Sequence, residues 1–217
     1  MGKEHMQATS RSMQRLGTAV LALSLLVVAP AHAHHVMGGR TPATFIEGLL
    51  SGFGHPIIGI DHLAFIVAVG LVVGVAGLNL AIPAIFIAIS AVGVALHVGG
   101  VGLPIVEWMV AGSVLLAGAM IASGAAAAGG AKSWFWPALF AVAGLFHGYA
   151  YGESIYGAEA TPLAAYLIGL VVIQGAVASA AALIVRRGAE TALRARLAGA
   201  AIAGIGLAVL AGHIVPA

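Results

Sequence analysis

The sequence has no cysteine, and only 7% of its 217 residues are Asp, Glu, Lys or Arg. The missing thiols exclude disulfides, zinc fingers and thiolate chemistry. With so few charges and a formal net charge of +2, there is no charged face of the kind that binds nucleic acid or an acidic partner. No G-x-x-x-x-G-K-S/T segment occurs, so the chain is not expected to bind or hydrolyse a nucleotide. What is present in excess is apolar surface. The residues are 61% hydrophobic, and the mean hydropathy of +1.09 is that of a membrane protein. Against seven acidic residues stand nine histidines. A metal site in this chain must therefore use imidazole, carboxylate, methionine or backbone ligands, and imidazole is plentiful.

Lys3, Arg11 and Arg15 precede an apolar run from Leu16 to Val28, which ends in VAPAHAHH. The run is shorter than the ~20 residues a membrane span requires, and it fits the apolar region of a secretory signal. Residues 1–33 are therefore expected to be a cleavable signal peptide, cut after Ala31 or after Ala33. The first cut leaves His32-Ala33-His34 at the new amino terminus, an arrangement suited to square-planar Ni²⁺ or Cu²⁺. The second leaves His34-His35. Both His34 and His35 are accordingly candidate accessory metal ligands, although a polar cleavage boundary accounts for them equally well. Residues 34–55 are expected to form a periplasmic amino-terminal segment.

Apolar stretches of about 20 residues predict six spans, at 56–76, 79–99, 103–123, 134–154, 162–185 and 197–215. The expected fold is all-α: a polytopic membrane helix bundle of six transmembrane helices within residues 56–217. Arg186, Arg187, Arg194 and Arg196 crowd the fifth connection and Lys132 lies in the third. The positive-inside rule makes these connections cytoplasmic and leaves both ends of the mature chain outside the bacterial inner membrane. His55, Asp61, His62, His97, Glu107, His147, Glu153 and His213 then share the outer side. Burying each such group costs a few kcal/mol unless it is paired, solvated or holds an ion. Gly70-x-x-x-Gly74 and Gly148-x-x-x-Gly152 place small residues one turn apart for close helix contact.

The segment HPIIGIDH, residues 55–62, puts two histidines and an aspartate at the head of the first span. Pro56 suits the first turn of a helix, which leaves His55 outside it as a cap. His62 is seven residues on, near the same face and about 10 Å deeper along a straight helix. Asp61 can serve as an oxygen ligand, or as the acceptor that fixes the tautomer of a ligating histidine. Imidazole with carboxylate suits Ni²⁺, Co²⁺ or Zn²⁺. In FHGYAYGE, His147 has Glu153 nearby and extends the candidate set, with His97 as a further member.

On AHAHH, on FIEGLLSGFGHPIIGIDHLAFIVAVGL at 45–71 and on LFHGYAYGE at 145–153, the chain resembles the HupE/UreJ family, small bacterial membrane proteins associated with hydrogenase and urease gene clusters. The family is taken to comprise nickel, sometimes cobalt, permeases. Its motif is similar to the His-x4-Asp-His of larger nickel/cobalt transporters, with one more residue here. The resemblance implies that His55, Asp61 and His62 recognise the ion. The family often has a second histidine where this chain has Tyr151, so span four is left with His147 and Glu153.

The expected function is uptake of Ni²⁺ or Co²⁺ as a transported ion by a secondary permease without enzymatic activity, with no permanently bound cofactor and with the lipid bilayer as its surroundings. Two other readings use the same residues. One is a membrane metal-binding accessory protein that does not transport. The other is an intramembrane zinc-dependent hydrolase with Glu153 as base, although no H-E-x-x-H spacing is present.

Overall fold

A computed structural model describes residues 40–128, 134–186 and 191–215. The expected signal peptide, His34 and His35, Lys132 and Arg187 lie outside the described residues. Seven α-helices occur among those described: α1 (Phe45–Ile58), α2 (Ile60–Val75), α3 (Pro83–Val98), α4 (Val106–Ser123), α5 (Phe135–Tyr151), α6 (Ala160–Arg186) and α7 (Thr191–Ile214), with a 3₁₀ turn at Gly152–Ile155 between α5 and α6.

Helix α1 lies largely within the expected periplasmic segment, and its start has a local cause. The Thr44 hydroxyl accepts from the Glu47 N–H, while the Glu47 carboxylate accepts from the N–H groups of Thr44 and Ala43. This is a capping box, which satisfies backbone donors that a helix start leaves open. Pro56 is not in a first turn, as expected, but inside the last turn of α1, and His55 is helical with it. The helix ends two residues later at Ile58, and its cap, Gly59, has an extended backbone (φ −70°, ψ 99°). At that glycine the chain turns by 80° into α2.

Each of the six expected spans contains a helix; in the first four runs the helix is shorter than the apolar stretch, whereas α6 and α7 extend beyond theirs. By length and composition, three are able to cross a membrane, namely Val106–Ser123, Ala160–Arg186 and Ala192–Ile214, and a fourth is counted if the bent pair α1–α2 forms one span. Helix α3 has 16 residues, a rise of about 24 Å against a hydrocarbon core of about 30 Å. The difference arises because Pro83 opens α3 and the apolar residues before it lie in turns. Taken together, the helices make this an all-helical membrane protein.

Lipid offers no hydrophobic drive to join apolar helices, so association depends on close backbone approach. Helices α1 and α2 lie along α6, α3 lies on α5, and α4 on α7. A β-carbon at Gly70 would overlap the Ala178 carbonyl, and one at Gly74 would come within 2.8 Å of the Ala182 carbonyl. On the other side, β-carbons at Gly148 and Gly152 would overlap Ser90 and His97 of α3. Both glycine pairs are thus contact points between helices. At one end of the bundle, Arg196 donates to the Ala122 carbonyl at 2.8 Å and Arg186 donates to the Leu78 carbonyl. Glu47, His97, Glu107, Glu153 and His213 belong to the opposite helix ends. Beneath the histidines, toward the arginine end, Phe65, Phe86 and Phe140 form a buried aromatic floor.

Candidate functional site

The bend at Gly59 does what a straight helix would not. It brings the imidazoles of His55 and His62 to 5.6 Å between ring centroids. A β-carbon at Gly59 would lie 2.7 Å from Cδ2 of the His62 ring, so a larger residue there would displace that imidazole. From α5, His147 reaches His62 with the two Nδ1 atoms 2.9 Å apart. Tyr151, one turn beyond His147 and so on the same face, lies 4.4 Å from the His62 ring and 5.2 Å from that of His55. All four side chains are buried, His147 and Tyr151 completely.

Hydroxyl groups fix the outer nitrogens. Ser113 gives its one proton to the Val110 carbonyl at 2.7 Å. It must then accept from Nε2–H of His147, 3.0 Å away. That assignment leaves the His147 Nδ1 lone pair facing His62, with a proton or a cation shared between the two rings. On the far side, His55 Nδ1 is 2.7 Å from the Ser154 hydroxyl and 3.1 Å from that of Tyr166. Tyr166 donates to the Tyr151 carbonyl at 2.7 Å and Ser154 to the same carbonyl at 3.2 Å. With both protons placed there, His55 Nδ1–H donates to the two oxygens and Nε2 carries the lone pair. The floor contributes as well, since Phe65 stacks on His147 at 4.6 Å.

Asp61 is buried beside this cluster, and its carboxylate accepts from the N–H of His62 at 2.8 Å, in the first turn of α2. A carboxylate at a helix start is favoured by the open N–H groups and the helix dipole. Among the described residues, no group of three or more His, Asp or Glu side chains is arranged to hold a metal ion. The histidines meet in pairs through His62.

Glu153 is exposed and set apart from the cluster. The 3₁₀ turn directs Ser154 to His55, whereas Glu153 lines an open cavity of about 520 Å³ together with His97, Glu107, Trp108, Tyr149 and His213. There Nε2 of His213 is 3.9 Å from the Glu107 carboxylate, and the ring of His97 packs on Tyr149 at 4.5 Å. The turn into α4 delivers Glu107 and Trp108 through Ile105, whose φ of 54° is left-handed. That conformation is uncommon for a β-branched residue.

Ser113, Ser154 and Tyr166 escaped the reading of the sequence, and Tyr151 entered it only as a neighbour of His147 that replaces a family histidine. Gln174 also escaped it, fully buried on α6, where its side-chain oxygen accepts from Ser90 at 3.1 Å. The available signal was a few polar side chains inside apolar helices, each of which needs a buried partner.

An all-helical membrane protein with buried histidines braced by hydroxyls is the class this geometry defines. Residues 21–209 match the family model described as HupE / UreJ protein. The chain belongs to the HupE/UreJ family. Comparison with curated proteins and with solved structures finds no significant match.

Proposed function

We propose that the protein is a secondary permease of the bacterial inner membrane that takes up Ni²⁺, with Co²⁺ as the second substrate. In this reading the six apolar stretches are six spans, the arginine end is cytoplasmic, and both ends of the mature chain are outside. The observation that carries it is the separation of 2.9 Å between the Nδ1 atoms of His62 and His147. Two nitrogens bound at about 90° to one ion, each at about 2.0–2.1 Å, stand about 2.9 Å apart. An ion to one side of the line between these nitrogens therefore displaces the shared proton and requires the rings to turn toward it without moving apart. His55 and Asp61 stand next to the pair, outside ligating distance of a common point, and by moving inward when the ion binds they would add nitrogen and oxygen donors suited to Ni²⁺ or Co²⁺.

The open cavity is the outer mouth. Its carboxylates attract a hydrated cation, while His97 and Glu153 line the way toward the buried rings. His34 and His35 act before it as additional ligands on the amino-terminal segment. An inside-negative potential favours inward movement of a divalent ion by about 4–5 kcal/mol per 100 mV, at roughly 2.3 per charge. Passage inward requires the Phe65, Phe86 and Phe140 floor to part. Gln174, about 12 Å further along α6 than Tyr166, is a polar group for that stage.

Uptake of radioactive nickel and cobalt by cells expressing the intact chain at trace metal tests this reading. Accumulation above cells lacking the protein supports it. Metal bound by the purified protein without accumulation would instead favour the accessory reading.

Two further outcomes are expected. The double substitution Glu107→Gln with Glu153→Gln raises the half-saturating nickel concentration about 3- to 10-fold and leaves the maximal rate unchanged, because surface charge concentrates ions without touching the inner site. The effect shrinks as salt is added. Ser113→Ala removes the acceptor that orients His147 and lowers nickel affinity about 10-fold, within the range for groups that orient metal ligands. Equilibrium binding to the purified protein measures it.

A further inference from the structure

Two fully buried tyrosines touch the histidine cluster, and they differ in one respect. The Tyr166 hydroxyl is saturated: it donates to the Tyr151 carbonyl at 2.7 Å and lies within 3.1 Å of both Ser154 and His55. The Tyr151 hydroxyl has no hydrogen-bond partner among the described residues, although its ring packs on both His62 and His55. A phenol completely removed from water without a partner is unfavourable. Apolar contact does not account for it either, since phenylalanine would fill the same space without that penalty.

We infer that the Tyr151 hydroxyl oxygen is a donor to the transported cation, alongside His62 and His147, and that it sets the preference of the site for ions that accept mixed nitrogen and oxygen ligands. The inference rests on the metal-transport reading and adds to it a residue and a basis for selectivity. Two imidazoles alone also suit Cu⁺, which favours soft ligands, whereas each oxygen donor added to them, Tyr151 beside Asp61, tilts the site toward Ni²⁺ and Co²⁺. In the ion's absence the hydroxyl is left unpaired, which makes it a group whose partner arrives with the substrate.

Tyr151→Phe keeps the ring and removes only the oxygen. Thermal unfolding and equilibrium binding of Ni²⁺, Co²⁺ and Cu⁺, each alone, are measured on the purified full chain in detergent. In the variant without metal, the melting temperature is expected to be equal or higher, since an unpaired group is lost. Affinity for Ni²⁺ and Co²⁺ falls at least about 10-fold, and that for Cu⁺ changes less than about 3-fold. Tyr166→Phe is expected to behave oppositely, with a lower melting temperature before any metal is added. A fluorine label on the ring of Tyr151 in the otherwise intact chain provides a second readout, as its NMR resonance shifts when Zn²⁺ is added.

Unchanged Ni²⁺ affinity in Tyr151→Phe, or a fluorine resonance that Zn²⁺ does not move while Zn²⁺ binds, overturns the inference and leaves the permease reading standing. No metal binding by the intact chain overturns both.

Discussion

Replacing His62 by alanine brings nickel uptake to the level of cells without the protein, at least about 100-fold below the intact chain at equal expression. Groups that only orient a metal ligand are worth about 10- to 100-fold, and His62 is placed to do more. It is the ring through which the cluster is connected, with His55 on one side at 5.6 Å, His147 on the other at 5.1 Å and Tyr151 at 4.4 Å. The substitution removes the ring's contacts with α1 and α5 but leaves the close backbone contacts of α2 with α6 at Gly70 and Gly74, so the protein is expected still to fold and insert. His147→Ala gives the same loss, and the double variant is no worse than either single one. Residues that hold one ion as a unit are not additive. Independent, multiplying losses would mean that the two rings serve different steps.

The second large effect is on the fold. At Gly148 a β-carbon would overlap the carbonyl of Ser90 and crowd its Cα at 2.5 Å. Both atoms belong to the backbone of α3, so no side-chain rotation relieves the clash, and α3 must separate from α5. Gly148→Ala is expected to destabilise the protein by about 3 kcal/mol, the upper end of overpacking, and to abolish uptake through loss of folded protein. Gly112, also in a helix, has nothing within 4 Å of where a β-carbon would lie. Gly112→Ala is therefore neutral, or stabilising by up to about 1 kcal/mol through helix propensity. Thermal unfolding in detergent measures both. Equal behaviour of the two variants would show that the α3–α5 contact is not as tight as described.

Much of the architecture was legible because hydropathy is a sum over many residues. Each of the six apolar runs holds a helix, and the glycine pairs at Gly70 and Gly148 mark helix contacts. The 80° bend was not legible. Hydropathy reads straight through Gly59, which sits between isoleucines, and Pro56 looks the same whether it opens a helix or closes one.

The HPIIGIDH histidines stood out by residue type, but their approach to within 5.6 Å depends on that bend. Glu153 was grouped with His147 by closeness in sequence. Six residues correspond to about 240° around a helix, and the 3₁₀ turn carries Glu153 into the outer cavity. Tyr151 is four residues from His147 and shares its face, so helical spacing alone would have singled it out. Ser113 gave almost no sign, because the tautomer logic that makes it matter needs the Val110 carbonyl at 2.7 Å.

Nickel flux into proteoliposomes containing only the purified protein, under an imposed inside-negative potential, tests the central claim most directly. Accumulation that depends on the potential and is lost in His62→Ala is the predicted result. Bound nickel without flux, or flux undiminished in His62→Ala, would contradict it.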